Sequence, residues 1–256
     1  MIPINFQNSR GQKLVGKISP GPLPTPIIMV QGFGSTKEEN GKFDKIAKII
    51  NREGYPVFQF DFAGCGESEH QAISHQSETE DLISAIKFLE SQGFKQFALF
   101  GHSMGGLIST RVMSNPDIEN RIKAIVLLAA ATQSMQHWWE EQYSDEQIKK
   151  LKKEGELTIS TPHNQFQKDF TISSDMLEES KNINQKEILE EIHCPVLLIH
   201  GDEDNFVPLK QSVDAMQFLS EESELVTLKG ANHFFEKHIE ELSEISVDFF
   251  NNYLRK

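Results

Sequence analysis

The chain has 256 residues, 38% of them hydrophobic, and its 25 basic against 38 acidic side chains leave a net charge of −13. That length and apolar content suit one large α/β domain and argue against disorder. The acidic balance repels phosphate backbones and anionic lipid, which excludes nucleic acid and membrane surfaces as expected partners. Residues 1–8 carry no basic region followed by a long apolar stretch, and no run approaches spanning length, so a cytoplasmic location is expected. Cys65 and Cys194 fall in separate elements and suggest neither a disulfide framework nor a metal cluster. Cys65 reads as a small residue in a turn.

Taken in order, residues 2–6 and 13–19 are extended stretches joined by a turn-rich link, Asn8-Ser9-Arg10-Gly11, the pattern of an antiparallel hairpin at one sheet edge. The prolines between Pro20 and Pro26 cannot continue a ladder and deliver the chain to Ile27-Ile28-Met29-Val30, apolar on both faces as a central parallel strand is. Gln31-Gly32-Phe33-Gly34-Ser35 follows, then a helical stretch over 38–51 with Phe43, Ile46, Ala47 and Ile50 on one face. Residues 57–60 form a short strand leading into Asp61-Phe62-Ala63-Gly64-Cys65-Gly66-Glu67-Ser68. No GK[ST] or G-x-G-x-x-G accompanies those glycines, so the loop reads as a structural turn and not a phosphate cradle. Leu82, Ile83, Ile86 and Leu89 mark a helix over 79–90 that Gly93 stops.

The apolar run Phe97-Ala98-Leu99-Phe100 then enters Gly101-His102-Ser103-Met104-Gly105-Gly106. This is the strand, turn and helix setting of a G-x-S-x-G nucleophile elbow, in which a serine is held out on a strained backbone and neighbouring glycines allow close approach of strand and helix. Ser103 is therefore the candidate nucleophile. Residues 124–130 supply another all-apolar strand, and the continued alternation of strands and helices predicts a mostly parallel sheet covered on both faces, with ligands at the carboxyl ends of its strands.

From residue 133 to 186 the charge density rises and no long apolar strand appears, too long an interval for a bare loop. An inserted cap is expected there, within a single domain spanning 1–256. Met135, Trp138, Trp139, Phe166, Phe170 and Met176 are its candidates for lining a pocket or packing the cap down, and residues 157–172 contain a possible small hairpin. The alternation resumes at 188–192 and a strand at 195–200 ends in Gly201-Asp202-Glu203-Asp204-Asn205-Phe206-Val207-Pro208. A helix over 209–219, a last strand at 225–228, the loop Lys229-Gly230-Ala231-Asn232-His233-Phe234-Phe235 and a closing helix to 253 complete the chain.

A serine hydroxyl needs a base to take its proton and an acid to orient that base. Asp204 and His233 lie in loops after successive strands beyond the elbow, giving the chain order Ser, Asp, His. Asp204 competes with Asp202 and Glu203, and is favoured because it lies deeper in its loop. His233 competes with His102, His200 and His238, and is favoured by its place in a glycine-led loop directly after the last strand. An oxyanion formed by attack on a carbonyl needs backbone donors, for which Met104 and Phe33 are the candidates.

Together, the elbow, the Gln31-Gly32-Phe33-Gly34 turn, the 61–68 loop, the 201–208 loop and Ala231-Asn232-His233-Phe234 resemble the α/β-hydrolases. Within that superfamily the chain is most similar to serine esterases of the cinnamoyl or feruloyl esterase-like group, and more distantly to monoacylglycerol lipases. The resemblance covers everything but the cap, where it rests on position and on residues 170–177. It implies hydrolysis of small, partly apolar carboxylic esters through an acyl-enzyme, with Ser103 as nucleophile, His233 as base then acid, Asp204 as orienter, and no metal or organic cofactor. A thioesterase or monoacylglycerol lipase using the same three residues, or a noncatalytic binding protein on this fold, are the alternatives. The chain departs from its relatives in having Gln31-Gly32 where they have His-Gly, which keeps the Phe33 donor and changes how the loop is anchored. The only partner implied is a small-molecule ester, and no oligomeric state is readable.

Overall fold

The structure, a computed structural model, describes residues 1–161, 167 and 169–255. Eleven strands and nine α-helices are described along the chain: β1 (Ile2–Gln7), β2 (Lys13–Ser19), β3 (Ile27–Val30), α1 (Lys42–Arg52), β4 (Val57–Phe60), β5 (Ala72–Ile73), α2 (His75–Ser91), β6 (Phe97–His102), α3 (Met104–Arg111), β7 (Ile122–Leu128), α4 (Gln136–Gln142), α5 (Asp145–Glu154), β8 (Glu156–Ser160), β9 (Asp169–Ser173), α6 (Ser174–Lys181), α7 (Gln185–Glu190), β10 (Val196–Gly201), α8 (Lys210–Ala215), β11 (Glu224–Leu228) and α9 (Ile239–Leu254).

Eight strands form the main sheet in the order β1-β2-β4-β3-β6-β7-β10-β11. The β1–β2 and β2–β4 pairs are antiparallel and all the others parallel. The sequence pattern explains the placement. β3, β4, β6 and β10 are buried along their whole length and can only sit inside a sheet covered on both faces. β1 is largely exposed and lies at the edge. One face is covered by α1 and α9, whose Phe43, Ile46, Ile50, Leu242, Phe249 and Phe250 pack on the sheet. The other face carries α2, α3 and α7, through Leu82, Ile86, Ile108 and Leu189. This is the mostly parallel sheet, covered by helices on both faces, that the alternation of strands and helices predicts.

Several boundaries differ from expectation: α2 begins at His75 and not at 79, β7 spans Ile122–Leu128 and not 124–130, and α8 spans only Lys210–Ala215 of the 209–219 stretch. Helix α1 begins at Lys42 instead of 38, because Glu39, Asn40 and Gly41 adopt positive φ values of 48°, 55° and 85° and hold a turn open ahead of it. The two-residue strand β5 has no recognisable sequence pattern, yet it pairs parallel with β9 and so joins a second sheet, β5-β9-β8. Residues 133–186 therefore contain α4, α5, α6, the start of α7 and the expected antiparallel hairpin β8–β9. Phe166 lies outside the described residues.

The 61–68 loop is held as a structural turn. Asp61 accepts from the Lys37 amide and the Lys37 ammonium, both at 2.7 Å, and from the Glu67 amide at 3.0 Å, while Lys37 also reaches Glu67 at 2.6 Å. Desolvation lowers the Lys37 pKa, but its pairing with Asp61, Glu67 and Glu38 outweighs that and raises it overall. Cys65 and Cys194 are buried and unpaired, and burial pushes both thiols upward, away from reactivity.

Candidate active site

Three tight contacts shape the elbow. A Cβ at Gly105 would lie 2.1 Å from the Val30 carbonyl oxygen, at Gly101 2.5 Å from the Gly105 carbonyl oxygen, and at Gly106 2.4 Å from Ala130 Cβ. Only residues without side chains let α3 approach β3, β6 and the residues after β7 this closely. Between them Ser103 takes φ 53° and ψ −120°, a conformation costly for any residue with a side chain and typical of strain kept at a working site. Its amide donates to the Leu128 carbonyl at 2.8 Å, which fixes the turn against β7.

The loops after β10 and β11 bring the other two candidates to the same sheet edge. His233 Nε2 lies 3.0 Å from Ser103 Oγ, and His233 Nδ1 lies 2.8 Å from Asp204 Oδ2. Because a carboxylate only accepts, Nδ1 carries the ring proton and Nε2 presents a lone pair to the serine hydroxyl. The Asp204 side chain is buried. Its Oδ1 accepts from the Phe206 and Val207 amides at 2.8 and 2.9 Å. His200 Nε2 lies 3.3 Å from Asp204 Oδ2 and 2.9 Å from the Val207 carbonyl, while Ser212 Oγ sits 2.7 Å from His200 Nδ1. Burial opposes a charge on Asp204, but hydrogen bonds from His200 and His233 outweigh it and hold the carboxyl well below the usual range.

The competing candidates have other partners. Asp202 accepts from the Gly230 amide and Glu203 is exposed. His200 buttresses Asp204, His238 precedes α9, and His102 belongs to a second buried group described next.

Glu39 accepts from the Gly32 amide through Oε1, and its Oε2 lies 3.2 Å from His102 Nδ1 and 3.5 Å from Lys42 Nζ. His102 Nε2 is 3.0 Å from the His233 carbonyl oxygen. All three side chains are buried. Burial opposes a charge on Glu39, but His102, Lys42 and the Gly32 amide hold it below its ordinary range; burial lowers Lys42, and burial together with Lys42 pushes His102 down to about 4. None of these residues stood out in the sequence apart from His102. The one available signal for Glu39 was its place beside Asn40-Gly41, a pair that favours left-handed backbone.

Phe33 and Met104 both line the cavity beside Ser103. Met104 opens α3, where the first amides of a helix have no intrahelical acceptor. The turn carrying Phe33 is closed by Gln31, whose Nε2 donates to the Ser35 carbonyl at 2.7 Å, and Gly32 sits so near that a Cβ there would be 3.3 Å from Ser103 Cβ. Gln31 thus anchors the turn itself.

Above Ser103 lies a cavity of about 870 Å³. Met135, Trp138, Trp139 and Phe170 are on its wall, whereas Met176 is fully buried in the core. Phe33 meets Trp138, Trp139 and Phe170 edge-on at 5.1–5.8 Å between ring centres. At Gly34, with φ 55°, a Cβ would lie 2.2 Å from Phe170 Cζ, so the aromatic segment rests directly on the turn. Among the described residues there is no cluster of His, Cys, Asp and Glu able to hold a metal ion, and no helix is long and apolar enough to cross a membrane.

Residues 25–238 match the Hydrolase_4 family, described as serine aminopeptidase, S33. The chain belongs to this family. It is 27% identical over 225 residues to "Putative esterase/lipase 2" of Mycoplasma genitalium, covering 81% of each chain. Its fold is similar to that of "Ferulic Acid bound to Est1E from Butyrivibrio proteoclasticus", with a TM-score of 0.81, 19% identity, and 99% and 100% of the two chains covered. It is also similar to a monoacylglycerol lipase of Paleococcus ferrophilus, with a TM-score of 0.74, 22% identity, and 92% and 97% covered. The protein is an α/β-hydrolase, and its fold is that of known esterases.

Proposed function

We propose that the protein hydrolyses carboxylic esters of small, partly apolar acyl groups through an acyl-enzyme on Ser103. The observation that carries this reading is the continuous array from Ser103 Oγ to His233 to Asp204, with 3.0 and 2.8 Å contacts, at the floor of a cavity with aromatic walls. Ser103 Oγ attacks the ester carbonyl carbon as its proton passes to His233 Nε2, and the carbonyl electron pair moves onto oxygen. Phe33 and Met104 amides donate to that oxyanion. Collapse expels the alkoxide, which takes the proton from His233 and leaves as alcohol. Water, deprotonated by the same nitrogen, then attacks the acyl-enzyme, and the acid departs as the serine recovers its proton. Asp204 stays ionised throughout and holds the ring in the required tautomer.

The named relative and the fold of Est1E support esters over peptides as substrates. Residues 133–186 serve as the cap over the acyl group in this reading, since their aromatic side chains form much of the wall. Ser103→Ala is the test: p-nitrophenyl ester turnover and labelling by a fluorophosphonate probe should both vanish while the thermal melting transition persists. Turnover or labelling retained by the folded variant would defeat the proposal.

A further inference from the structure

The Glu39, His102 and Lys42 group is buried charge that the proposed chemistry does not use, and it touches two of the loops that chemistry depends on. One carboxylate oxygen of Glu39 takes the Gly32 amide, the residue before the Phe33 donor. The other faces His102 Nδ1 at 3.2 Å, and His102 Nε2 faces the backbone carbonyl of His233 at 3.0 Å. A single chain of contacts therefore runs from the turn holding Phe33, under the elbow, to the backbone of the base.

The group is poorly matched to a purely stabilising role. Both nitrogens of His102 face acceptors, but only Nε2, against the His233 carbonyl, is at hydrogen-bonding geometry; a singly protonated ring with its proton there turns the Nδ1 lone pair toward Glu39 at 3.2 Å, a contact without a hydrogen bond. Lys42 Nζ is buried and makes no hydrogen bond among the described residues, with Glu39 as its nearest anion at 3.5 Å. Unsatisfied polar atoms and a loosely paired ammonium each cost free energy when buried. Glu39 also holds φ 48°, a left-handed conformation disfavoured for its residue type. Strain and imperfect pairing kept beside an active site point to placement of a side chain where it is needed.

We infer that Glu39 is a positioning residue that latches the Phe33 turn to the His233 loop through His102, fixing the oxyanion donor relative to Ser103. The inference rests on the proposed ester hydrolysis for its kinetic consequence. It differs from the simpler idea that Glu39 only neutralises Lys42, and paired variants separate the two. Glu39→Ala with Lys42→Met removes both charges and the latch. Glu39→Gln with Lys42→Met also removes both charges but keeps the bridge, because a carboxamide accepts from the Gly32 amide through oxygen and donates to a neutral His102 Nδ1 through nitrogen.

Loss of one well-placed oxyanion donor costs about 10²–10³ in kcat, so a displaced one should cost the alanine pair roughly tenfold or more in kcat with KM little changed. The glutamine pair should stay close to wild type. Amide hydrogen exchange gives a readout independent of turnover: the 31–35 turn should exchange faster in the alanine pair and at the wild-type rate in the glutamine pair. Equal kcat and equal exchange in the two pairs would overturn the latch. Should the alanine pair fail to fold, Glu39→Asp with Lys42 intact replaces it. It keeps the opposite charges but is one methylene too short to span both contacts, so the latch predicts lower kcat and faster exchange, and charge neutralisation alone predicts neither. A wild-type protein that turns over no ester would defeat the proposed hydrolysis, and the exchange rates would still decide the latch.

Discussion

The sheet edge that carries Ser103, Asp204 and His233 and the segment over it, residues 133–186, are built on different terms. At the sheet edge, position comes from backbone. Ser103 sits among glycines at which an added Cβ would lie 2.1–2.5 Å from neighbouring atoms, and Asp204 is held by the amides of Phe206 and Val207. Over it, position comes from side chains: Phe33, Trp138, Trp139 and Phe170 meet edge to face, and Phe170 fills the space a Cβ would need at Gly34. Backbone-set geometry tolerates almost no change, whereas a wall of aromatic rings can be trimmed and re-formed. The sheet edge should therefore decide whether the reaction occurs, and the aromatic segment which ester is taken.

The sharpest break of that contrast is Asp204→Asn. The amide cannot accept from His233 Nδ1 through its nitrogen, so the ring loses the tautomer that leaves Nε2 free. In a serine protease with a Ser-His-Asp array the corresponding change costs about 10⁴ in kcat, and the same order is expected here with KM nearly unchanged. Steady-state kinetics on one p-nitrophenyl ester checks it; a loss under tenfold would mean that Asp204 does not orient the base. Gly105→Ala probes the same edge through folding. With the Val30 carbonyl oxygen 2.1 Å from the new Cβ and backbone on both sides, α3 must move off the sheet, and a cost of several kcal/mol follows from overpacking alone. Chemical denaturation should show it as a large fall in midpoint.

The two regions also differ in how plainly they were written in the sequence. Wholly apolar runs such as Ile27-Ile28-Met29-Val30 can only be central strands, and glycines such as Gly101, Gly105 and Gly106 mark the turn they permit, so the sheet, the elbow and the order of Ser103, Asp204 and His233 were legible. Asp204 was separable from Asp202 only in part, since both lie in one acidic loop. What separates them is that the Gly230 amide takes Asp202 while two amides and two imidazoles converge on Asp204. Glu39 was not legible, because its role depends on a left-handed backbone turn and on partners, His102 and the Gly32 amide, drawn from two other elements. Strand β5 was missed for a similar reason: two residues carry no periodicity, and their pairing with β9 comes from tertiary contact.

The aromatic segment offers a smaller and more selective effect. Trp138→Ala removes part of the cavity wall and one edge contact to the Phe33 ring, while leaving Ser103, His233 and Asp204 and their hydrogen bonds in place. Losing the burial of part of one indole against a bulky acyl group is worth about 1–2 kcal/mol, or roughly tenfold in kcat/KM for hydroxycinnamate esters. Acetyl esters, too small to reach the wall, should change little. A panel of acyl lengths measured on both proteins tests this, and a uniform loss across the panel would mean that Trp138 supports the fold and not selection.

The smallest effect joins the two regions through His75, which opens α2 from the sheet side, lines the cavity, and has Ser180 of the covering segment 3.3 Å from its Nε2. Burial, aided by the charge of Arg111, pushes His75 down to about 3 from an ordinary value of 6.5. The folded form thus binds fewer protons than the unfolded chain between those values. The neutral ring favours folding fully above pH 6.5, and that contribution is lost as the pH falls toward 3, at up to about 1.4 kcal/mol per pH unit. Thermal melts of the wild type and His75→Gln should run parallel above pH 7 and converge or cross below it, with the wild type losing about 1 kcal/mol more by pH 5.5. Parallel curves throughout would show that the ring is proton-accessible in the folded state, and that the covering segment opens at this point far more readily than the sheet edge beneath it.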